Sequence, residues 1–122
     1  MNNKKFILDW LKDHKYCVIA TSCENQPWAA TVDYLCDEEM NIYISTNPNS
    51  MNFQNILNNP SVCLVIDSQD HEGTLRIKGR AEAVSEKDNN GSNLLVKPEF
   101  LIFKRKEEKT DKLFEIRLNL PD

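Results

Sequence analysis

The stretch Gln26-Pro27-Trp28-Ala29-Ala30-Thr31-Val32-Asp33-Tyr34-Leu35-Cys36, followed by Asp37-Glu38-Glu39 and then Asn41-Ile42-Tyr43-Ile44-Ser45-Thr46, sets the fold of this chain. From Trp28 onward it is rich in β-branched and aromatic residues and changes character every second position, so it reads as two strands joined by a polar turn. Upstream, Tyr16–Cys23 is another β-rich run, and Glu24-Asn25-Gln26-Pro27 turns it into the quoted stretch. Connections this short permit only antiparallel pairing, because a parallel crossover takes a dozen residues or more. The three runs therefore form a meander.

Working outward, residues 4–14 carry Phe6, Ile7, Leu8, Trp10 and Leu11 among Lys4, Lys5, Asp9, Lys12 and Asp13. Ile7 with Leu11, and Phe6 with Trp10, fall at i,i+4, which predicts a short amphipathic helix that must pack on something to persist. On the other side, Asn47-Pro48-Asn49-Ser50 interrupts the strands. Ser50 stands where an N-cap belongs, and Met51, Phe53, Ile56 and Leu57 recur at helical spacing until Asn58-Asn59-Pro60 ends the helix. Val62–Asp67 reads as a central strand, Gln69-Asp70-His71-Glu72-Gly73 as a turn, and Thr74–Val84 as a strand. In that strand Leu75, Ile77, Gly79, Ala81 and Ala83 share one face, and Arg76, Lys78, Arg80 and Glu82 the other. Lys87–Asn93 is expected to be the least ordered internal loop. Leu94–Phe103 and Leu113–Leu120 are the last strands, with Lys104–Lys112 a solvated charged turn. Six or seven strands and two short helices in one domain, residues 1–122, close most economically as a small barrel, which removes exposed edges.

Composition narrows the function. The chain has 122 residues, 40% hydrophobic and 28% charged, with a formal net charge of −4. That sign disfavours sequence-independent binding to nucleic acid. No apolar run is long enough to span a bilayer. Charges at Asp9, Lys12 and Asp13 arrive before any secretory apolar core forms, so a cytoplasmic protein is expected. Cys17, Cys23, Cys36 and Cys63 lack CxxC spacing and lie in apolar stretches, the pattern of buried reduced thiols. His14 falls at the end of the first helix, where a cation or donor is favoured, and His71 in a solvated turn. Neither has partners at metal-ligand spacing, so no metal site is expected.

The ordered series Gln26–Tyr34, Asn41–Thr46, Ser50-Met51-Asn52-Phe53-Gln54-Asn55-Ile56, Asn58-Asn59-Pro60-Ser61-Val62-Cys63-Leu64 and Leu75-Arg76-Ile77-Lys78-Gly79-Arg80-Ala81-Glu82 resembles the pyridoxamine 5′-phosphate oxidase-like FMN-binding split barrels. The most telling parts are the strand-Thr-loop-Ser-helix step ending in Asn-Asn-Pro, and Gly79-x-Ala81-Glu82. The resemblance implies a mainly β fold, a six- to seven-stranded antiparallel split β-barrel, forming a homodimer with FMN in a groove between subunits. It places the flavin ring along Ala30, Thr31, Val32, Asp33, Tyr34 and Leu35. The phosphate falls at Ser45, Thr46 and the helix start Ser50-Met51-Asn52, with Thr74 the matching position on the later strand. A phosphate carrying about −1.5 to −2 charges needs donors or cations, and a helix N-terminus supplies donors.

The departures from the family pattern are specific. Positions matching Ala30, Leu35, Met51 and Asn52 commonly hold Arg or Lys in the oxidases, and all four are uncharged here. Arg76, Lys78 and Arg80 compensate only if their face meets the groove; a solvated basic face is the favoured reading. The oxidases' C-terminal Arg-and-His substrate motif is absent, so pyridoxamine phosphate oxidation is not expected. Trp28 and Tyr34 either line the groove or pack in the core or an interface, the latter being favoured. Asp33 and Tyr34 are the acid–base candidates. The expectation is an FMN-dependent oxidoreductase acting on a small molecule; the alternative is a split barrel that holds flavin or haem without turnover.

Overall fold

The computed structural model describes residues 2–68, 73–107, 110 and 112–120; the expected turn containing His71 lies largely outside them. The elements, in order, are α1 (Asn3–Lys12), β1 (Tyr16–Cys23), β2 (Gln26–Cys36), β3 (Ile42–Ile44), α2 (Met51–Asn58), β4 (Ser61–Asp67), β5 (Thr74–Ala83), β6 (Leu94–Lys106) and β7 (Leu113–Asn119). A 3-10 turn spans Glu86–Asp88.

The strands lie in the order β3-β2-β1-β4-β5-β6-β7, and β3 also pairs with β6. Strand β5 follows one edge of β6 along its length, from Thr74 opposite Lys104 to Ala83 opposite Leu94. The other edge of β6 is shared. β3 takes Leu94–Val96, and β7 takes Phe100–Lys106. Six strands thus close into a barrel while the seventh diverges, which is the split. The edge changes hands around Pro98, which has no N–H to give a ladder. Opposite it the register slips between Lys78 and Gly79. A Cβ at Gly79 would stand 2.6 Å from the Lys97 carbonyl oxygen, so only glycine admits this bulge.

Alternation fills the interior. Ile19, Ile42, Ile44, Leu64, Ile77, Val96 and Leu101 have no solvent exposure. Helix α1 closes the barrel at the Tyr16 end of β1. Ile7 and Leu11 are buried, and Phe6 and Trp10 meet Phe103 edge-on with centroids 5.3 and 5.2 Å apart. His14 stacks on Trp10, and its Nδ1–H donates to the Trp10 carbonyl at 2.7 Å, the helix-end role its position predicts. Helix α2 closes the opposite end: Asn55 Nδ2 donates to Thr21 Oγ1 at 3.0 Å, and Asn59 Nδ2 to Ser22 Oγ at 3.2 Å.

Two expectations are corrected. Residues 104–106 are strand rather than turn, because β7 returns to pair Lys104, Arg105 and Lys106 with Glu115, Phe114 and Leu113. The polar loop at 87–93 is organised: Gly91 N–H donates to Glu86 O, Val84 N–H to Asn93 O, and Ser92 and Asn93 are buried. Polar composition suggested solvent as the partner, where the chain itself is the partner. All four thiols are free, Cys17 buried and the others half-buried. Among the described residues, no helix is long and apolar enough to cross a membrane.

Candidate functional site

Strand β2 carries two different faces. Ala30 and Val32 pair with Ile19 and Cys17 and turn inward, while Ala29, Thr31 and Asp33 pair with Ala20, Val18 and Tyr16 and turn outward. Tyr34 belongs to the inner set: it is 5% exposed and its hydroxyl donates to the Leu11 carbonyl at 2.6 Å. Burial, then the neighbouring Cys17 and Cys36, pushes its phenol above the ordinary value. Tyr34 therefore ties helix to barrel. Leu35, next along, is exposed on the outer side. The outward wall of β2 is thus made of Ala29, Thr31, Asp33 and Leu35, with Trp28 half-exposed near its start.

The expected phosphate residues after β3 come together in one cluster. Thr46 Oγ1 lies 3.2 Å from Ser50 Oγ, and Asn52 Nδ2 donates to Thr46 Oγ1 at 3.4 Å. Ser50 Oγ caps α2 by accepting from Phe53 N at 3.2 Å. Asn93, unsuspected in the sequence, clamps the loop: it accepts from Thr46 N at 3.1 Å and donates to Thr46 O at 2.6 Å. Ser45 Oγ donates to Gly91 O at 3.3 Å, Asn52 is buried, and Met51 is exposed. The cluster holds hydroxyls, amides and the first N–H groups of α2, which have no partner within the helix. It holds no cation.

Thr74 is not part of it. Its hydroxyl is bonded to Asp67, at the opposite end of β5 from Ala83, whose partner Leu94 pairs in turn with Ile44 beside the cluster. That separation is nine residues, about 30 Å of extended chain.

The cations stand elsewhere. Arg76, Lys78 and Arg80 project from the outer face of β5, opposite Val65, Cys63 and Ser61 on β4 and Ile102, Phe100 and Lys97 on β6. None of the three has an ion-pair partner among the described residues. Lys78 borders a shallow depression of about 470 Å³ with Ala20, Ser22, Ser61 and Cys63. Burial pushes the Cys63 thiol up, and Arg76 partly offsets it. Between the cations and β2 runs an apolar seam, Val18 with Val65 and Ala20 with Cys63. The sequence marks Val62–Asp67 as a central strand and Cys63 as a buried thiol; alternation reveals two faces without saying which is covered, and Cys63 and Val65 lie on the half-buried outer one.

A six-stranded barrel with one long shared strand, an edge change at a proline and a polar helix start beside β2 defines the split-barrel class. A family model described as pyridoxamine 5′-phosphate oxidase matches residues 4–114, and the chain belongs to that family. The fold recurs in solved structures. A Clostridium acetobutylicum protein related to general stress protein 26, of the pyridoxinephosphate oxidase family, has 16% identity and a TM-score of 0.70, covering 98% of this chain and 97% of its own. General stress protein 26 of Bacillus anthracis has 14% identity and a TM-score of 0.71, covering 94% and 100%. An FAD-binding protein of Mesorhizobium loti has 13% identity and a TM-score of 0.68, covering 84% and 92%. No curated protein sequence matches the chain.

The donor set can be tested against a flavin. An isoalloxazine ring needs a flat apolar wall with backbone groups at its edge, and the outward side of β2 provides Ala29, Thr31 and Leu35. A phosphate needs donors and positive charge. The helix start has the donors and β5 the charge, so the residues fit the group as a set drawn from two surfaces of the barrel.

Proposed function

We propose that this chain is a cytoplasmic flavoprotein that binds FMN as a homodimer and exchanges electrons between the flavin and a small molecule. The observation that carries the reading is the wall of β2, apolar and hydroxyl-bearing, left open to solvent beside the polar start of α2 in a chain of this family. Members of the family generally bind a flavin, and the Mesorhizobium loti relative is an FAD-binding protein.

The bound flavin would supply the electron-pair chemistry, and the protein binding, orientation and electrostatics. Ala29, Thr31 and Leu35 would wall the ring, while Thr46, Ser50 and the start of α2 would donate to the phosphate. Asp33 is the ionisable group on that wall; Tyr34, spent on Leu11, is turned away.

Absorbance spectra of the purified protein, before and after adding FMN, test this directly. Uptake of FMN with shifted flavin bands is expected; no binding with excess FMN would sink the reading. The scarcity of acid–base groups on β2 favours one second reading, a protein that holds a flavin without turnover. Steady oxidation of a reduced nicotinamide in the presence of an electron acceptor would exclude it.

A further inference from the structure

Helix α1 carries a stripe that the flavin reading does not use. Phe6 and Trp10 fall one turn apart and His14 continues the line, about 12 Å in all at a rise of about 1.5 Å per residue. Across from the stripe stands Phe103, which both Phe6 and Trp10 meet edge-on. Between them, bounded by Ser68 just past β4, lies a cavity of about 280 Å³. A Cβ added at Gly73, just before β5, would stand 3.6 Å from the Trp10 ring. Lys12, two positions from Trp10 and so on the other side of the helix, bonds Glu38 in the turn after β2. The cavity therefore lies on the β4–β5 side of α1, opposite the turn that ends β2.

Its two ends differ in polarity. At the Phe6 end the Arg105 guanidinium sits over two rings, 4.7 Å from the Phe114 centroid and 5.8 Å from that of Phe6. Ring faces engage its charge and leave its N–H groups free for an acceptor. Among the described residues no carboxylate comes within ion-pair distance of it. At the other end His14 is fixed by stacking on Trp10 and by its Nδ1–H on the Trp10 carbonyl. In the neutral ring that commitment makes Nε2 an acceptor. Asp13, which borders the cavity beside His14, adds negative charge there. The aromatic walls between the two ends are flat and already packed on one another, so a ring that enters orders little further side chain.

We infer that this cavity is a binding site for a small aromatic carboxylate that bears a hydroxyl or amino group at its far end. The carboxylate pairs with Arg105, whose planar fork of donors suits it. The ring packs on Trp10 and Phe103, and the far hydroxyl or amino group donates to His14 Nε2. The reverse orientation is disfavoured, because it sets the carboxylate beside Asp13. Size narrows the class further. Ligand pockets run from about 300 to 1,000 Å³, and this one, at the bottom of that range, takes one ring rather than the three fused rings of a flavin. The site is independent of the flavin reading and is tested separately from it.

The probes are benzoate, phenol and 4-hydroxybenzoate, each titrated into the full chain. The sequence has two tryptophans, so in a Trp28→Phe background the fluorescence of Trp10 alone reports on the cavity. 4-Hydroxybenzoate should change that emission saturably and bind about tenfold or more tighter than phenol, which lacks the carboxylate. Arg105→Gln should remove this advantage, and Asp13→Asn should raise benzoate affinity a few-fold. Both side chains are exposed, so the two variants should keep the fold by circular dichroism. His14→Phe, which keeps a ring beside Trp10, should make 4-hydroxybenzoate bind no better than benzoate. No saturable change in Trp10 emission, or equal affinity of the wild-type chain and Arg105→Gln for 4-hydroxybenzoate, would overturn the inference. Displacement of 4-hydroxybenzoate by FMN would overturn it as well, since the probe would then lie on the β2 wall. Flavin uptake, read from the FMN bands, stands or fails on its own.

Discussion

Asp37 opens the turn after β2, and its carboxylate collects four donors. Glu39 N and Asn41 N lie at 2.9 Å, and Asn41 Nδ2 and the Tyr43 hydroxyl at 3.1 Å. Partial burial pushes this carboxyl up, yet the hydrogen bonds from Asn41, Glu39 and Tyr43 prevail and hold it below its ordinary value. Because the folded value is the lower one, the turn's contribution is complete above the unfolded value of 3.8 and is lost as pH falls through the folded value. Asp37→Asn should cost about 1–2 kcal/mol at neutral pH, since two of its donors would then face an amide nitrogen. The gap from wild type should narrow as pH falls below 3.8, where this carboxylate takes up protons in the unfolded chain before it does in the native turn. Urea titrations at neutral and acid pH check this; a gap that does not change with pH would contradict it. Gly79 gives a sharper case. Its missing Cβ would meet backbone, the Lys97 carbonyl, so no rotamer relieves the clash. Gly79→Ala should lower stability by about 1–3 kcal/mol, read from the same denaturant midpoints. The glycine was conspicuous in the sequence, but its reason was not, because Lys97 and Pro98 meet it only after β6 folds back.

The elements themselves were legible because each has a period: four in residues 4–14 and 51–57, two in the strands. Ser50 as the cap of α2 was legible for the same local reason, its side chain acting three residues away on Phe53. Removing it should cost about 1 kcal/mol. Asn93 illustrates what periodicity does not carry. It sits 47 residues from Thr46, in a run whose Gly, Asn and Ser content reads as solvent-loving, and yet it is buried and bonds both the N–H and the carbonyl of Thr46. Asn93→Ala would leave both backbone groups without their partner, and should cost about 2–3 kcal/mol, more than Ser50→Ala despite the simpler appearance of the residue. Thermal unfolding of the two variants side by side tests the ranking; equal losses would mean that water replaces Asn93 without penalty. The candidate phosphate cluster shares this fate. Its members Ser45, Thr46, Ser50 and Asn52 were recognisable by order along the chain, whereas the brace that sets their positions was not.

At the scale of the whole molecule, alternation established that Arg76, Lys78 and Arg80 share a face but could not say what that face meets, since a period of two serves water and a second subunit equally. The closed strand order supplies the missing direction, placing the row on the flank of the barrel opposite β2. Ionic strength separates the two sources of phosphate binding. If exposed cations hold the phosphate, salt screens them within a Debye length of about 10 Å at 0.1 M, and affinity falls as salt rises. If the neutral donors at Thr46, Ser50 and the start of α2 hold it alone, the field is local and the dependence is weak. FMN affinity should therefore weaken several-fold between low and high salt while affinity for riboflavin, which has the ring and lacks the phosphate, barely changes, the difference vanishing when Arg76, Lys78 and Arg80 are all replaced by Gln. Stability should follow by mass action: FMN at about a hundred times its dissociation constant adds roughly 2.7 kcal/mol at low salt and less at high salt. Titrations of both ligands across a salt series, paired with melting curves, measure the two effects independently, and an FMN affinity indifferent to salt would assign the phosphate to the helix start instead of the cation row.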